Sequence, residues 1–324
     1  MRSAKKWEDK LRKISFESNV AEGNVRKFTM DNSTLMFFPL WDGILLWSNE
    51  IRDKYIPFFP EIEGNYITFN CCVDGRCEIG FPIGNRYIYM EKGMLSLNQV
   101  QPVDGYYYPG KKYDGIELAF DLEVMSEEFP PALSDYGLTK DYFQRLIEEN
   151  DSIFLASSGQ KIQTMAEELL IYLRSGDVSV TKLRSEVLRM FLLIKEGELT
   201  PARDVTYVSR GQRQIATEAE ERLTADLGSH LVISEMAKDY GISASALKKY
   251  FVQVYGTNVS DYLRQKRMER ASALLSGTMQ SVREVALSVG YTHQGKFSEV
   301  FKEFSGYSPL EYRRLFFKRK EIGE

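Results

Sequence analysis

The sequence predicts an α+β protein, with a strand-rich N-terminal part that ends in a helical hairpin and an all-α C-terminal third. Three observations carry this. Between about Phe28 and Val124, segments such as YITFNC, RYIYM and GIELAFDLEV alternate or cluster β-branched and aromatic residues. From about Thr139 the apolar period becomes helical, and from Gln212 onward short helices alternate with caps and glycine turns. The length of 324 residues, about twice an ordinary domain, suits two compact parts.

In chain order, the strands are punctuated by turn signals at Val73-Asp74-Gly75, Ile83-Gly84-Asn85, Glu91-Lys92-Gly93 and Val103-Asp104-Gly105. Many short strands with frequent turns read as a β-barrel or sandwich. Ile162, Met165, Ala166, Leu169, Leu170 and Leu173 have the spacing of one apolar helix face. Val180, Leu183, Val187, Leu188, Phe191 and Leu192 repeat it, and Ser175-Gly176-Asp177 turns the pair into a hairpin. Gly197 to Gly211 lacks either period and contains Pro201, so it is expected to be the interdomain linker. A first C-terminal helix runs from about Gln212 to Asp226 with Ile215, Ala219 and Leu223 inward.

In ISEMAKDYGISASALKKYF a short helix ends at Gly241 and a second begins with Ser243 as N-cap, which is a helix-turn-helix spacing. A longer helix from about Val259 to Leu275 leads to SVREVALSVGYTHQGKFSEVF, where Gly290 stands at the turn. Ser281 with Glu284 forms a capping box, and Ser308, Pro309 and Glu311 open the last helix in the same way.

Composition restricts function before any motif is weighed. Hydrophobic residues at 43% and charged residues at 27% describe a globular chain able to bury a core. No apolar run approaches the ~18 residues that cross a bilayer, so a cytoplasmic protein is expected. Cys71, Cys72 and Cys77 are the only cysteines, too few for a disulfide framework. Adjacent strand side chains point apart, so they are expected to be buried small hydrophobes and not a metal site. His230 and His293 are the only histidines, which makes metal-hydrolase and triad chemistries hard to build. Residues 1–211 carry 25 Lys and Arg against 32 Asp and Glu, whereas residues 212–324 carry 17 against 14. The basic end hints at nucleic acid.

Two helix-turn-helix patterns are far more specific than one. Gly241 and Gly290 are 49 positions apart, and each precedes a helix with paired anchors, Leu247/Phe251 and Phe297/Phe301, so the unit reads as internally duplicated. A connecting helix of some 17 residues spans about 25 Å, which lets two recognition helices approach the ~34 Å turn of B-DNA.

At VREVALSVGY, KFSEVFKEFSGYSPLEYRR and YLRQKRMERASALL, residues 212–317 resemble the AraC/XylS family of bacterial transcription regulators. The resemblance implies a seven-helix DNA-binding domain with two helix-turn-helix units joined by a long helix, behind a cupin-like β-barrel that binds an effector or dimerises. It implies the domains 1–137 (effector-sensing, with an N-terminal arm), 138–196 (helical dimerisation segment), 197–211 (linker), 212–317 (DNA-binding) and 318–324 (tail). Its base-reading positions fall on Ser245, Lys248 and Lys249, then on His293, Gln294, Lys296 and Glu299. Gln suits adenine, Lys guanine and Glu a cytosine amine. Arg264, Lys266, Arg267, Lys302 and Arg313 are the phosphate candidates, and Arg267 has the alternative of a carboxylate inside the domain. The chain departs from the family at Gly295, Lys296 and Glu299, where a serine, an aromatic and a basic residue are more usual. Glycine weakens the helix by roughly 1 kcal/mol and Glu299 repels phosphate, which leaves the second unit's share of readout open.

Enzymatic cupins hold a metal through several histidines, and residues 1–211 contain none, so neither an enzyme nor a cofactor is expected. Trp41, Trp47, Tyr66, Phe69, Phe81, Tyr87, Tyr89 and Tyr106 to Tyr108 either line a ligand pocket or form plain core. The leading expectation is a transcription regulator with promoter DNA, a small-molecule effector, a second copy of itself and, for an activator, RNA polymerase as partners. The alternative is a non-enzymatic small-molecule or carbohydrate-binding protein with an incidental helical domain.

Overall fold

The computed structural model describes residues 19–22, 25–41, 43–56, 65–81, 85–99, 105–123, 131–149, 153–197, 199–201, 206–229 and 232–317. It is a mixed α/β chain of two compact units that divide between Ser209 and Arg210, an N-terminal antiparallel sheet with helices and a C-terminal helical unit. The N-terminal arm, His230 and the 318–324 tail lie outside the described residues. Among the described residues no helix is long and apolar enough to cross a membrane.

The strands are β1 (Asn19–Glu22), β2 (Val25–Met30), β3 (Ser33–Trp41), β4 (Ile44–Ile51), β5 (Tyr55–Ile56), β6 (Tyr66–Phe81), β7 (Arg86–Glu91), β8 (Met94–Asn98), β9 (Tyr106–Tyr107), β10 (Tyr113–Asp121), β11 (Ile153–Ser158), β12 (Leu199–Pro201) and β13 (Val208–Ser209). The helices of this unit are α1 (Pro131–Ser134), α2 (Lys140–Glu148), α3 (Gln160–Arg174) and α4 (Val180–Lys195). The main sheet runs β1-β2-β3-β4-β10-β6-β8-β11-β12, β7 and β13 branch from β6, and β5 pairs with β9.

Because the path from β1 to β12 does not return on itself, the expected cupin-like barrel is not closed. Strand β6 also departs from the expected turn pattern. Val73-Asp74-Gly75 reads as a hairpin turn, yet the strand continues through it for 16 residues, its first part paired with β8 and its last part with β7. Gly75 allows this bend. Its φ is +83°, and a Cβ there would sit 2.1 Å from the Lys112 carbonyl oxygen.

Strand β10 lies between β4 and β6, and all nine of its residues are buried. Such burial requires cover on both faces, and the pleat sorts side chains accordingly. Ile116, Leu118 and Phe120 join a core with Phe69, Phe143 of α2 and Phe191 of α4, whose rings meet edge-on or tilted at 5.2–5.8 Å. Tyr113 and Ala119 join the opposite core with Phe37, Leu45, Cys72 and Ile88. Cys71 and Cys72 fall in different cores, as adjacent strand residues must, and all three cysteines are buried and unpaired. Burial pushes the Cys71 thiol up to about 12.

Two segments read as helix or linker supply strands. Ile153–Ser158 enters the sheet between β8 and β12, with Ile153 to Ala156 buried. Within the segment expected to link the units, Leu199–Pro201 pairs with β11 and Val208–Ser209 with β7.

Three carboxylates on β10 are buried, Asp114, Glu117 and Asp121, and the first two are treated differently. Asp114 accepts from Arg52 Nη2 at 3.0 Å and from Arg174 Nη2 at 2.5 Å, and both arginines also face Glu50. Glu117, 9% exposed, accepts one hydrogen bond, from Asn49 Nδ2 at 2.7 Å, and has no cation beside it among the described residues. Burial, opposed only by that hydrogen bond, pushes its carboxyl up to about 8.

This yields a stability prediction. The unfolded glutamate titrates near ~4.3, below its folded value, so the stabilisation is complete below that pH and is lost as pH rises through about 8. Thermal unfolding of the full chain should therefore give a midpoint that falls between about pH 5 and about pH 8, and Glu117→Gln should flatten this part of the profile. Parallel profiles for the two proteins would show that Glu117 ionises normally.

Candidate nucleic-acid interface

The C-terminal unit comprises α5 (Arg210–Ala225), α6 (Ile233–Asp239), α7 (Ala244–Tyr255), α8 (Val259–Gly277), α9 (Val282–Ser288), α10 (Gln294–Ser305) and α11 (Pro309–Phe316). Local signals set their ends. The Ser243 hydroxyl caps α7 by accepting from Ala246 N at 3.1 Å, and Asn258 caps α8 by accepting from Asp261 N at 2.9 Å. Both capping boxes read from the sequence are present, Ser281 with Glu284 and Ser308 with Glu311.

The duplication extends to side-chain contacts. In the turn between α6 and α7, Ile242 N donates to Ala237 O at 3.0 Å, and between α9 and α10 Tyr291 N donates to Ala286 O at 2.9 Å. Phe251 of α7 and Phe301 of α10 are fully buried and stand 50 residues apart. Each meets the tyrosine of the following helix edge-on, Phe251 with Tyr262 at 5.3 Å and 78°, Phe301 with Tyr312 at 5.3 Å and 88°. The offset is 49 before the turns and 50 after them, because the second turn is one residue longer.

Helix α8 serves both pairs. Its N-terminal half buries Val259 and Tyr262, and the Tyr262 hydroxyl donates to Glu220 of α5 at 2.8 Å. Its C-terminal half packs Met268, Ala271 and Leu275 against Val285, Phe297 and Phe301. With inner faces occupied, α7 exposes Ser245, Lys248, Lys249 and Val252, which lie on one side at three- and four-residue spacing. Lys248 and Lys249 make no ion pair among the described residues.

The second pair is built less securely. His293 is the N-cap of α10 but makes no side-chain cap hydrogen bond, and Gly295 follows within the first turn. His293, Gln294, Lys296, Glu299 and Lys302 are all exposed. Lys296 Nζ holds Glu299 Oε2 at 3.0 Å, and this hydrogen bond with its charge raises the ammonium above its ordinary range. The 50-residue offset sets Gly295 opposite Ser245 and Glu299 opposite Lys249, so the second helix lacks the basic side chain at that place.

The phosphate candidates divide by engagement. Lys302 is exposed on α10, and Arg264 is exposed but paired with Asp261 at 2.9 Å. Lys266 pairs with Glu269 at 2.9 Å. Arg267 donates to two backbone carbonyls, Leu227 O from Nε at 3.0 Å and Ser229 O from Nη2 at 3.2 Å, in place of the carboxylate considered from sequence. Arg313 donates to the Gln280 carbonyl. Arg270 and Arg283, which lie within the quoted motifs but outside the expected phosphate contacts, are exposed without an ion pair among the described residues.

Gly290 is the tightest point of the second turn. Its φ is +82°, and a Cβ there would stand 2.8 Å from Leu227 O and 2.9 Å from Arg267 Nη2. Gly290→Ala should cost about 1–3 kcal/mol in urea unfolding of the full chain. Gly295→Ala, which meets open space in a helix, should instead stabilise by up to roughly 1 kcal/mol. Equal effects at the two glycines would contradict this assignment of the turn.

Residues 236–315 match the family model described as a helix-turn-helix domain. The chain is 22% identical over 191 residues to the HTH-type transcriptional activator RhaR of Mannheimia succiniciproducens, covering 59% of this chain and 67% of that one. It is 34% identical over 87 residues to the Msm operon regulatory protein of Streptococcus mutans, covering 27% and 31%. Among solved structures, the C-terminal domain of AraT, a response regulator from Geobacillus stearothermophilus, is 29% identical with a TM-score of 0.32, covering 34% of this chain and 92% of that one. The match thus spans two thirds of the first relative and about a third of the second. The C-terminal unit is a helix-turn-helix domain of the AraC type, similar to those of bacterial transcription regulators.

Proposed function

We propose that the chain regulates transcription by sequence-specific binding to promoter DNA, with α6–α7 and α9–α10 acting as two helix-turn-helix units. The supporting observation is the repeated geometry around α8, with equivalent anchor residues on both sides and an exposed, unpaired Lys248 and Lys249 on the first recognition helix. At 1.5 Å per residue the 19 residues of α8 span about 28 Å, which suits two successive major grooves.

The roles follow from engagement. Ser245, Lys248 and Lys249 read bases in the first groove, and His293, Gln294, Lys296 and Glu299 in the second, where the Lys296–Glu299 pair must open before lysine reaches guanine. Lys302 and Arg264 contact phosphate, as does Lys266 once released from Glu269, while Arg267 and Arg313 hold loops in place. Residues 1–137 sense a small molecule, 138–196 contribute to a homodimer, 197–211 join the units and 212–317 bind DNA. In an activator, RNA polymerase is the further partner.

Electrophoretic mobility at the gene's own promoter tests this. A retarded complex that survives non-specific competitor at moderate salt is expected, and no preference over competitor would overturn the reading. Lys248→Ala should change preference at one base position by ~1–3 kcal/mol. Arg264→Ala should weaken all sequences alike and lower the slope of log affinity against log salt by about 0.9. An unchanged slope would give Arg264 a purely structural role.

A further inference from the structure

We infer that Val252 is a base-reading residue of α7 and that it recognises a thymine, through the C5-methyl group, in the major groove that α7 enters. The inference rests on the proposed DNA binding through α6–α7 and names one base class that the first groove must present.

The position of Val252 on the helix carries the argument. At 3.6 residues per turn it falls in angle between Lys248 and Lys249, one turn further on, and nearly in line with Ser245, so the four side chains share an arc of about 100°. Leu247, Phe251 and Val254, all buried, lie outside that arc. Val252 itself is 42% exposed, in the middle of the lysine-bearing face.

The fold does not ask for valine at this place, and the repeat supplies the comparison. The 50-residue offset that matches Phe251 with Phe301 and Tyr262 with Tyr312 also matches Val252 with Lys302, which is exposed on α10. One helix position in one local scaffold thus carries an aliphatic side chain in the first unit and a charged one in the second. Helix propensity disfavours the valine as well, because its β-branch restricts χ1 against the preceding turn, and lysine is the better helix former. Neither packing nor propensity accounts for Val252, whereas a ligand against this face does.

The neighbours select that ligand. Lys248 and Lys249 bring positive charge to both sides of the valine, which favours the phosphate-lined groove of a duplex over an apolar partner. In the major groove adenine, guanine and cytosine present hydrogen-bonding groups, and thymine alone presents a methyl. Contact between that methyl and the Val252 Cγ atoms removes apolar surface from water on both partners. The valine rotamer is nearly fixed in a helix, so little side-chain freedom is lost on contact. A purine N7 at the same point would face a side chain that cannot donate, and the bond it gives up to water would go unreplaced. Reach fixes the register. Val252 lies about 6 Å along the axis from Lys248, and bases stack at ~3.4 Å, so the thymine belongs within about two base pairs of the base that Lys248 reads.

The test uses the full chain and the promoter fragment it retards, with thymine replaced by uracil one position at a time across the stretch protected from nuclease. Uracil keeps each hydrogen-bonding group and removes only the methyl. One replacement, within about two base pairs of the position where Lys248→Ala alters preference, should lower the parent's affinity about three- to tenfold. Val252→Ala should lose a similar factor on the thymine fragment and be insensitive to that uracil, as a direct contact requires. Val252→Lys, which copies the second unit, should bind competitor DNA more tightly than the parent and still lose the uracil effect, whereas damage to the fold would weaken both. Circular dichroism checks the fold of each variant. A protected stretch without thymine in that span, uracil effects there that are equal in the parent and in both variants, or no uracil effect there in the parent would each overturn the assignment while leaving the DNA binding intact. Absence of any complex that survives competitor would overturn the DNA-binding reading, and this inference with it.

Discussion

Helix α8 must be buried along two different stretches at once, and the C-terminal unit is organised around that demand. Toward its start, Val259 and Tyr262 are covered by α5 and α7, and toward its end Met268, Ala271 and Leu275 are covered by α9 and α10. A helix of this length is marginal in water alone, so its stability comes from these contacts. The contacts also hold Phe251 and Phe301 in equivalent pockets, which fixes where each recognition helix lies relative to α8. A polar tie completes the first half, where the buried Glu220 carboxylate accepts a hydrogen bond from the Tyr262 hydroxyl.

Given similar scaffolds, α7 and α10 differ in the side chains they expose. The first has a serine cap and a lysine pair without ion-pair partners among the described residues. The second starts without a side-chain cap, carries Gly295 in its first turn and holds its lysine against a glutamate. A hydrogen-bonded pair on an exposed surface is weak, so DNA can compete for Lys296, but part of the attraction is spent on opening it.

The N-terminal unit shows the same logic in its charges. On one buried strand, Asp114 receives two guanidinium groups, whereas Glu117 receives a single amide hydrogen bond among the described residues. Glu117 sits among tyrosines on the face away from α3 and α4, while the helices complete the opposite core.

Much of this protein was legible in the sequence because the signals are local. Helix caps at Ser243, Ser281 and Ser308 depend on residues three apart, and the anchor spacing of Leu247/Phe251 and Phe297/Phe301 depends on one helical turn. The duplication was visible for the same reason, since both copies repeat that local code. Tertiary structure decided what depends on distant partners. Ile153–Ser158 becomes a strand only because β8 offers it a ladder, and Val73-Asp74-Gly75 is a bend and not a hairpin because β7 continues the pairing. Arg267 turns inward because the carbonyls of Leu227 and Ser229, some forty residues earlier, fall within its reach. Glu117 accepts its hydrogen bond from Asn49, 68 positions earlier, a partner that no period or spacing along the chain expresses.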